Sequence, residues 1–237
     1  MPRKHLVASQ TNKKQQSQAK LWQKLAREIK AAVKVGGPNL EANPRLKAAV
    51  DKALQNNLSR ESIERNINGS NKDSTDLAIK EFECYGPNGL QLVISALTDN
   101  VNRTISNLNG YLSKLHAQVA KPNSVKTFFD SVGYIVVFKD QNTNVDKILE
   151  LTLTYNIIDV IDQEDAIEIK TFPTDFYKVK EALIQNNVKI FDAEIKLLPQ
   201  APILSINTDD KLRLEHFIEA CEADDDIQWV VTNYEGE

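Results

Sequence analysis

The sequence predicts an α+β protein of three domains: an N-terminal three-helix domain, a discontinuous α/β domain and an inserted ferredoxin-like βαββαβ domain. Apolar residues recur at helical spacing up to about residue 67, and the pattern changes to strands from residue 79. From residue 133 the elements follow the order strand, helix, strand, strand, helix, strand, which is typical of the ferredoxin-like fold. The predicted boundaries are residues 1–76, residues 77–132 together with 202–237, and residues 133–201.

The first domain is predicted to contain three helices. Between residues 20 and 35 no proline or glycine occurs, and at about 100° per residue the apolar side chains fall on one side of a helix. The other side carries five cations within an arc of about 120°, namely Lys20, Lys24, Arg27, Lys30 and Lys34. Gly36-Gly37-Pro38 ends this helix, Asn43-Pro44 begins the second, and Ser59 caps a third that ends at Gly69.

The discontinuous domain is predicted from two stretches of sequence. Strands 79–85 and 90–97 flank a Gly-Pro-Asn-Gly turn, and Thr98-Asp99-Asn100 caps a helix that runs to about Val119. A strand at 124–129 follows. The last segment, with a strand at 203–206, a helix at 209–223 and a strand at 227–232, is too small for its own core, so we expect it to complete the first sheet.

The charge of the chain is strongly polarised. Residues 1–72 contain fifteen Lys and Arg against five Asp and Glu, a net charge of +10, whereas the remainder has fourteen against twenty-eight, a net charge of −14. Such asymmetry indicates a segment that binds a polyanion, and the alternative is a helical surface that is merely well solvated.

The chain has no run of apolar residues long enough to span a membrane, no apolar signal core and only two cysteines, so we expect a cytoplasmic protein without membrane contact.

The sequence offers no pattern typical of a catalytic or metal-binding site. His5, His116 and His216 have no carboxylate or cysteine at ligand spacing, and Gly36-Gly37 lacks the lysine of a phosphate-binding loop. The acidic residues 222–226 could suggest a cation site, but a solvated turn is the favoured interpretation. Cys84 and Cys221 are interpreted as small buried thiols. The sequence therefore predicts a protein that is not an enzyme and needs no cofactor.

Five motifs, in this order and spacing, resemble the YebC/PmpR family over nearly the whole chain. They are Lys24-Leu25-Ala26-Arg27-Glu28-Ile29 followed by Gly36-Gly37, Asn43-Pro44-Arg45-Leu46-Lys47, Tyr85-Gly86-Pro87-Asn88-Gly89, Leu97-Thr98-Asp99-Asn100-Val101-Asn102-Arg103-Thr104, and Asp225-Asp226-Ile227-Gln228-Trp229-Val230-Val231-Thr232-Asn233. Two departures are present. The family's usual Gly-His-Ser-Lys-Trp opening is absent, and Leu115-His116 replaces the Gly-Gly pair that usually follows the middle-domain helix.

The resemblance implies three domains and a non-catalytic role in the control of gene expression. Some members are labelled probable transcriptional regulators that bind DNA, and others resemble translation factors that act at the ribosome. Since folded RNA is recognised mainly through shape and phosphate contacts, our leading hypothesis is a ribosome-associated translation factor that binds RNA, with ribosomal RNA as a candidate partner. A monomer is favoured, and the sequence leaves the oligomeric state open. The alternatives are a DNA-binding transcriptional regulator and, by fold analogy, a module that senses a small molecule.

The predicted nucleic-acid contacts are the cations of the opening helices with one residue of the middle domain. They are Lys13, Lys14, Lys20, Lys24, Arg27, Lys30, Lys34, Arg45, Lys47 and Arg103. For Arg103, a local hydrogen bond to the Thr98-Asp99 cap is an equally good interpretation.

Overall fold

The computed structural model describes residues 3–69, 77–140 and 143–236, with side chains described from residue 18 onward. The chain folds into two compact units. The first comprises Met1–Val125 and Ile203–Glu237, and the second comprises Lys126–Pro202. The predicted α+β class is confirmed, since the described residues form helices and two antiparallel sheets. The predicted three-domain boundaries stay a prediction.

Three helices open the chain, in the predicted order. They are α1 (Arg3–Gly36), α2 (Pro44–Gln55) and α3 (Arg60–Gly69). Helix α1 begins earlier than predicted, because the polar stretch before residue 20 also lacks proline and glycine. The predicted apolar stripes are buried together in one core cluster that includes Leu25, Ile29, Leu46 and Ile63.

The ends of these helices are fixed by the predicted capping residues. Asn43 is almost fully buried, and its Oδ1 accepts a hydrogen bond from the Leu46 amide at 3.1 Å. Its Nδ2 donates to the Ala32 and Gly37 carbonyls, both at 2.8 Å, and so ties the end of α1 to the start of α2. A Cβ on Gly36 would lie 2.7 Å from the Asn43 side chain, which explains why a glycine occurs here.

The first sheet has the strand order β3-β1-β2-β8, and all three pairings are antiparallel. Its elements are β1 (Ala78–Tyr85), β2 (Gln91–Thr98), α4 (Val101–Leu115), β3 (Gln118–Val119), α7 (Thr208–Ala223) and β8 (Ile227–Thr232). The predicted return of the chain into this sheet is confirmed by the pairing of β8 with β2. Side chains from α4 and α7 pack with those of the sheet in one core that includes both cysteines.

The second sheet has the order β5-β6-β4-β7 and is also entirely antiparallel. Its elements are β4 (Phe129–Phe138), α5 (Val145–Thr152), β5 (Ile157–Asp162), β6 (Ala166–Thr171), α6 (Phe176–Gln185) and β7 (Ile190–Pro199). The first and third of these strands are central, so the predicted ferredoxin-like topology is confirmed. Helices α5 and α6 complete its separate core.

Three predicted elements were wrong. The strand at 124–129 is a short 3-10 helix (Lys126–Phe128) followed by the long strand β4, which continues through Gly133. A Cβ on Gly133 would lie 2.7 Å from the Phe176 Cβ, so this glycine allows β4 to pack closely against α6. The strand at 203–206 is reduced to an isolated bridge between Ile203 and Tyr234, and α4 ends at Leu115 instead of Val119.

Candidate nucleic-acid interface

The cationic arc of α1, defined as Lys20, Lys24, Arg27, Lys30 and Lys34, lies close to the acidic turn, residues 222–226, between α7 and β8. The Lys20 ammonium donates to the Ala223 carbonyl at 3.2 Å, and that of Lys24 donates to the Cys221 carbonyl at 3.4 Å. These carbonyls belong to the last turn of α7, where the helix dipole favours cations.

Lys24 differs most from the prediction of a solvent-facing cation. The residue is only 8% exposed. Burial lowers the pKa of its ammonium, and the neighbouring carboxylates of Asp224, Glu222 and Asp225 oppose that shift. The expectation that Lys24 lies on the outer surface is therefore wrong, because the acidic turn covers it.

Arg27 reaches furthest into the same turn. Its Nη1 donates to the Asp225 carbonyl at 2.7 Å, and its Nη2 donates to the Leu97 carbonyl at 2.9 Å. The same Nη2 forms an ion pair with Asp226 Oδ1 at 3.0 Å. One guanidinium thus joins α1 to the end of β2 and the start of β8.

Asp226 is the centre of a buried polar network. Its Oδ2 accepts hydrogen bonds from Arg103 Nη2 at 2.9 Å, Thr104 Oγ1 at 3.0 Å and Thr98 Oγ1 at 3.3 Å. Burial alone would raise the pKa of this carboxyl, but the hydrogen bonds from Arg103, Arg27 and Thr104 outweigh burial and hold the pKa below its usual range. The interpretation of residues 222–226 as a solvated turn is therefore wrong for Asp226, which is 5% exposed.

Arg103 makes the predicted local contact and a second one. Its Nη2 donates to Asp99 Oδ1 at 2.6 Å, one turn earlier, and to Asp226. Both carboxylates raise the pKa of the guanidinium. Asn100 caps α4 as predicted, accepting from the Arg103 amide at 3.1 Å. The nucleic-acid contact of Arg103 stays a prediction, and about half of its side chain remains exposed.

The arc and the acidic turn enclose a cleft with a volume of about 590 Å³. Cations line one part of it and carboxylates another. The lining residues include Arg27, Lys30, Lys34, Arg103, Asp99 and Asp224 to Asp226. The Asp224 carboxylate accepts from the Tyr111 hydroxyl at 3.0 Å, and burial followed by this hydrogen bond raises the pKa of Tyr111 to about 12. The cleft can therefore accept a charged group only in competition with charges that it already contains.

The remaining predicted contacts lie in different environments. Lys34 and Lys47 are exposed, Lys30 is half-buried, and Arg45 is half-buried with a buried Nη2 that has no hydrogen-bond partner among the described residues. The side chains of Lys13 and Lys14 lie outside the described part of the chain.

Trp22, the one tryptophan of the basic segment, donates from Nε1 to the Asn56 carbonyl at 2.9 Å and so contributes to the packing of α1 on α2.

Two residues of this polar network were missed by the sequence analysis. Asp226 was assigned to a turn, and Thr98 only to a helix cap, although both lie within the family motifs. The sequence did contain one indication: Asp226 is a charged residue that immediately precedes the apolar strand β8. Such a position adjoins a sheet core, where a carboxylate requires partners.

Family models match almost the whole chain. The model of the TACO1/YebC protein N-terminal domain matches residues 3–73, and that of the TACO1/YebC second and third domain matches residues 78–234. The chain belongs to the TACO1/YebC family. The resemblance seen in the motifs is thereby confirmed.

Individual family members are similar over their full length. A protein of Ureaplasma urealyticum named probable transcriptional regulatory protein is 54% identical over 237 residues, with 100% of both chains covered. A protein of the same name from Mycoplasma pneumoniae is 48% identical, with 98% of this chain and 99% of that protein covered. These names support a role in the regulation of gene expression.

A solved structure with a similar fold is also known. The crystal structure of a conserved hypothetical protein, Aq1575 from Aquifex aeolicus, matches with a TM-score of 0.78 and 32% identity, covering 92% of this chain and 90% of that one. Within the described residues, no helix of this chain has the length and apolar character to cross a membrane.

Proposed function

We propose that this chain regulates gene expression without catalysis, by binding RNA at the ribosome through its basic helical segment. The observation that carries the proposal is the concentration of a net charge of +10 in residues 1–72, against −14 in the rest of the chain. A phosphate backbone gains affinity from such a segment through the release of condensed counterions.

The exposure of the side chains supports four of the cations as the first contacts. Lys34 on α1 and Lys47 on α2 have exposed side chains, and Lys30 and Arg103 line the open cleft nearby. We assign the first contacts with phosphate to these four residues. Lys20, Lys24 and Arg27 hold the acidic turn in the absence of nucleic acid.

The preference for RNA rests on the scarcity of aromatic side chains in the basic segment. Residues 1–72 contain only one residue with a large aromatic ring, Trp22, so this segment has no series of rings on which successive bases could stack. Recognition through phosphate position and shape is typical of folded RNA, whereas recognition of a DNA operator requires side chains that read base edges.

Ultracentrifugation in a sucrose gradient tests the proposal, and we expect the protein in ribosomal fractions at low salt. Its absence from those fractions would contradict the translation role.

DNA-binding transcriptional regulation is the second candidate, favoured by the names of the relatives. A competition measurement separates the two. Under transcription regulation, one duplex sequence should be retained against a large excess of bulk duplex DNA, whereas under our proposal ribosomal RNA should displace every duplex.

The first prediction concerns the contacts on α1 and α2. The double variant Lys34→Gln/Lys47→Gln should lower affinity for single-stranded RNA and reduce the slope of log K against log salt concentration by about 1.4, since each lost phosphate contact removes about 0.7. Fluorescence anisotropy titrations at several salt concentrations measure both quantities.

The matched control removes two exposed cations from α3, in the variant Arg60→Gln/Arg65→Gln. Arg65 already pairs with Glu61 at 2.7 Å, and neither residue belongs to the proposed contacts. An equal loss of affinity in both variants would contradict the assignment to α1 and α2.

A further inference from the structure

We propose that the acidic turn, residues 222–226, is an intramolecular competitor of nucleic-acid phosphate for the cationic arc of α1. This inference rests on the proposed function, because it requires that the arc binds phosphate. The acidic turn would cover the arc in the free protein and would be displaced when RNA binds.

The contacts themselves resemble those that a phosphate group would make. Carbonyl oxygens of Cys221, Ala223 and Asp225 and the Asp226 carboxylate accept from Lys24, Lys20 and Arg27 at 2.7 to 3.4 Å. All are negatively polarised oxygens that receive charge-assisted hydrogen bonds, as phosphate oxygens do. Each N–H that donates to one of these oxygens is therefore not available to phosphate until that hydrogen bond breaks.

The charge of the turn adds to the competition. Glu222 and Asp225 have exposed side chains, and both carboxylates act on the Lys24 ammonium. Any phosphate that approaches the arc meets their negative charge at short range. The turn therefore opposes nucleic acid by repulsion as well as by occupying the donors.

The cleft gives the phosphate a path to the arc. Lys30 and Lys34 of the arc line the cleft, and Arg103 of α4 lines it as well. A strand bound first at exposed Lys34 could thus extend toward Arg27 as the turn withdraws. The cleft therefore connects exposed Lys34 with Arg27, which donates to the turn.

The contact between arc and turn is polar, which allows it to open. Among the described residues, the core cluster of α1 to α3 and that of the first sheet have no residue in common. Separation of Lys20, Lys24 and Arg27 from these oxygens exchanges hydrogen bonds and one ion pair for contacts with solvent or phosphate.

The test removes the two exposed carboxylates and leaves the backbone contacts unchanged. The variant Glu222→Gln/Asp225→Asn should bind a single-stranded RNA oligonucleotide about three- to tenfold more tightly at low salt. The gain should shrink as salt screens the repulsion. Circular dichroism confirms that the variant is folded.

The matched control is Glu215→Gln/Glu219→Gln, which removes the same charge from exposed positions on the same helix α7, away from the cleft lining. An equal gain in the control, or no gain in the turn variant, overturns the inference. Failure of the proposed function gives a different result: the wild-type protein and the Lys34/Lys47 variant would both fail to bind RNA.

A second measurement follows the arc directly. Photocrosslinked RNA should be recovered on Lys20 and on Lys24, which is buried in the free protein. Crosslinks confined to exposed residues such as Lys34 and Lys47, with none on Lys20 or Lys24, would show that RNA binds without displacing the turn and would overturn the inference.

Discussion

At the residue scale, Asp226 shows how a single carboxylate can link distant parts of a chain. It is joined to Arg27 across 199 positions and to Arg103 across 123. Both of its oxygens are hydrogen-bonded, one to Arg27 and the other to Arg103, Thr98 and Thr104. Because each arginine also contacts another group, removing the carboxylate charge would weaken the network without dissolving it.

The pH dependence of stability should reflect this carboxylate. Since folding lowers the pKa of Asp226, its contribution to stability is complete above the unfolded-state pKa of about 3.9 and is lost as the pH falls through the lower folded-state pKa. The variant Asp226→Asn should therefore cost about 2 kcal/mol near neutral pH, and the difference from wild type should diminish below about pH 4. Urea unfolding at a series of pH values measures it.

The neighbouring variant Asp225→Asn is the control for this measurement, because the Asp225 side chain is exposed and its contact with Arg27 uses the backbone carbonyl. We expect Asp225→Asn to retain the wild-type pH dependence. The assignment to Asp226 would be contradicted if its variant also retained that dependence.

At the scale of elements, capping residues determine where the helices begin and end. Helix α4 ends at Leu115, and the φ of 58° and ψ of 33° of the following His116 place that residue in the left-handed region that favours glycine. The predicted helix to Val119 was too long because histidine gives no stop signal in the sequence. Sequence patterns identified the caps Asn43, Ser59 and Asn100, since capping depends on residues only three positions apart.

Replacing His116 by glycine should stabilise the protein by about 0.5 to 1 kcal/mol. Relief of the left-handed strain, about 1 to 2 kcal/mol, is partly offset by the greater freedom of glycine in the unfolded chain. Chemical denaturation measures the free energy of unfolding. The control His116→Ala removes the same exposed imidazole but keeps the strain, so equal stabilisation by alanine would contradict the explanation.

At the scale of the whole molecule, the second unit leaves and rejoins the rest of the chain at adjacent points. Phe129 pairs with Pro199, and the Gln200 amide donates to the Phe128 carbonyl at 2.9 Å. The unit also has a core of its own. An insertion with adjacent ends and a separate core should fold independently.

Expressed alone, residues 126–202 should therefore fold and unfold cooperatively, as measured by circular dichroism in urea. The matched fragment, residues 133–201, follows the boundary predicted from sequence and lacks the pairings of Phe129 to Val132 with β7. We expect it to be markedly less stable. Equal stability of the two fragments would contradict the structural boundary, and an unfolded longer fragment would contradict independent folding.

The sequence by itself determined the helical stripes, the ferredoxin-like order, the segregation of charge and the family, because each depends on local periodicity or on short motifs. Only the tertiary structure decided that Lys20, Lys24 and Arg27 bind oxygens at the end of α7 and in the turn that follows it. Those partners lie about two hundred positions away in the chain, as the separations of 197 to 203 residues show. Helical periodicity places the cations on one face of a helix, but the docking of a distant segment determines whether that face meets solvent or carboxylates.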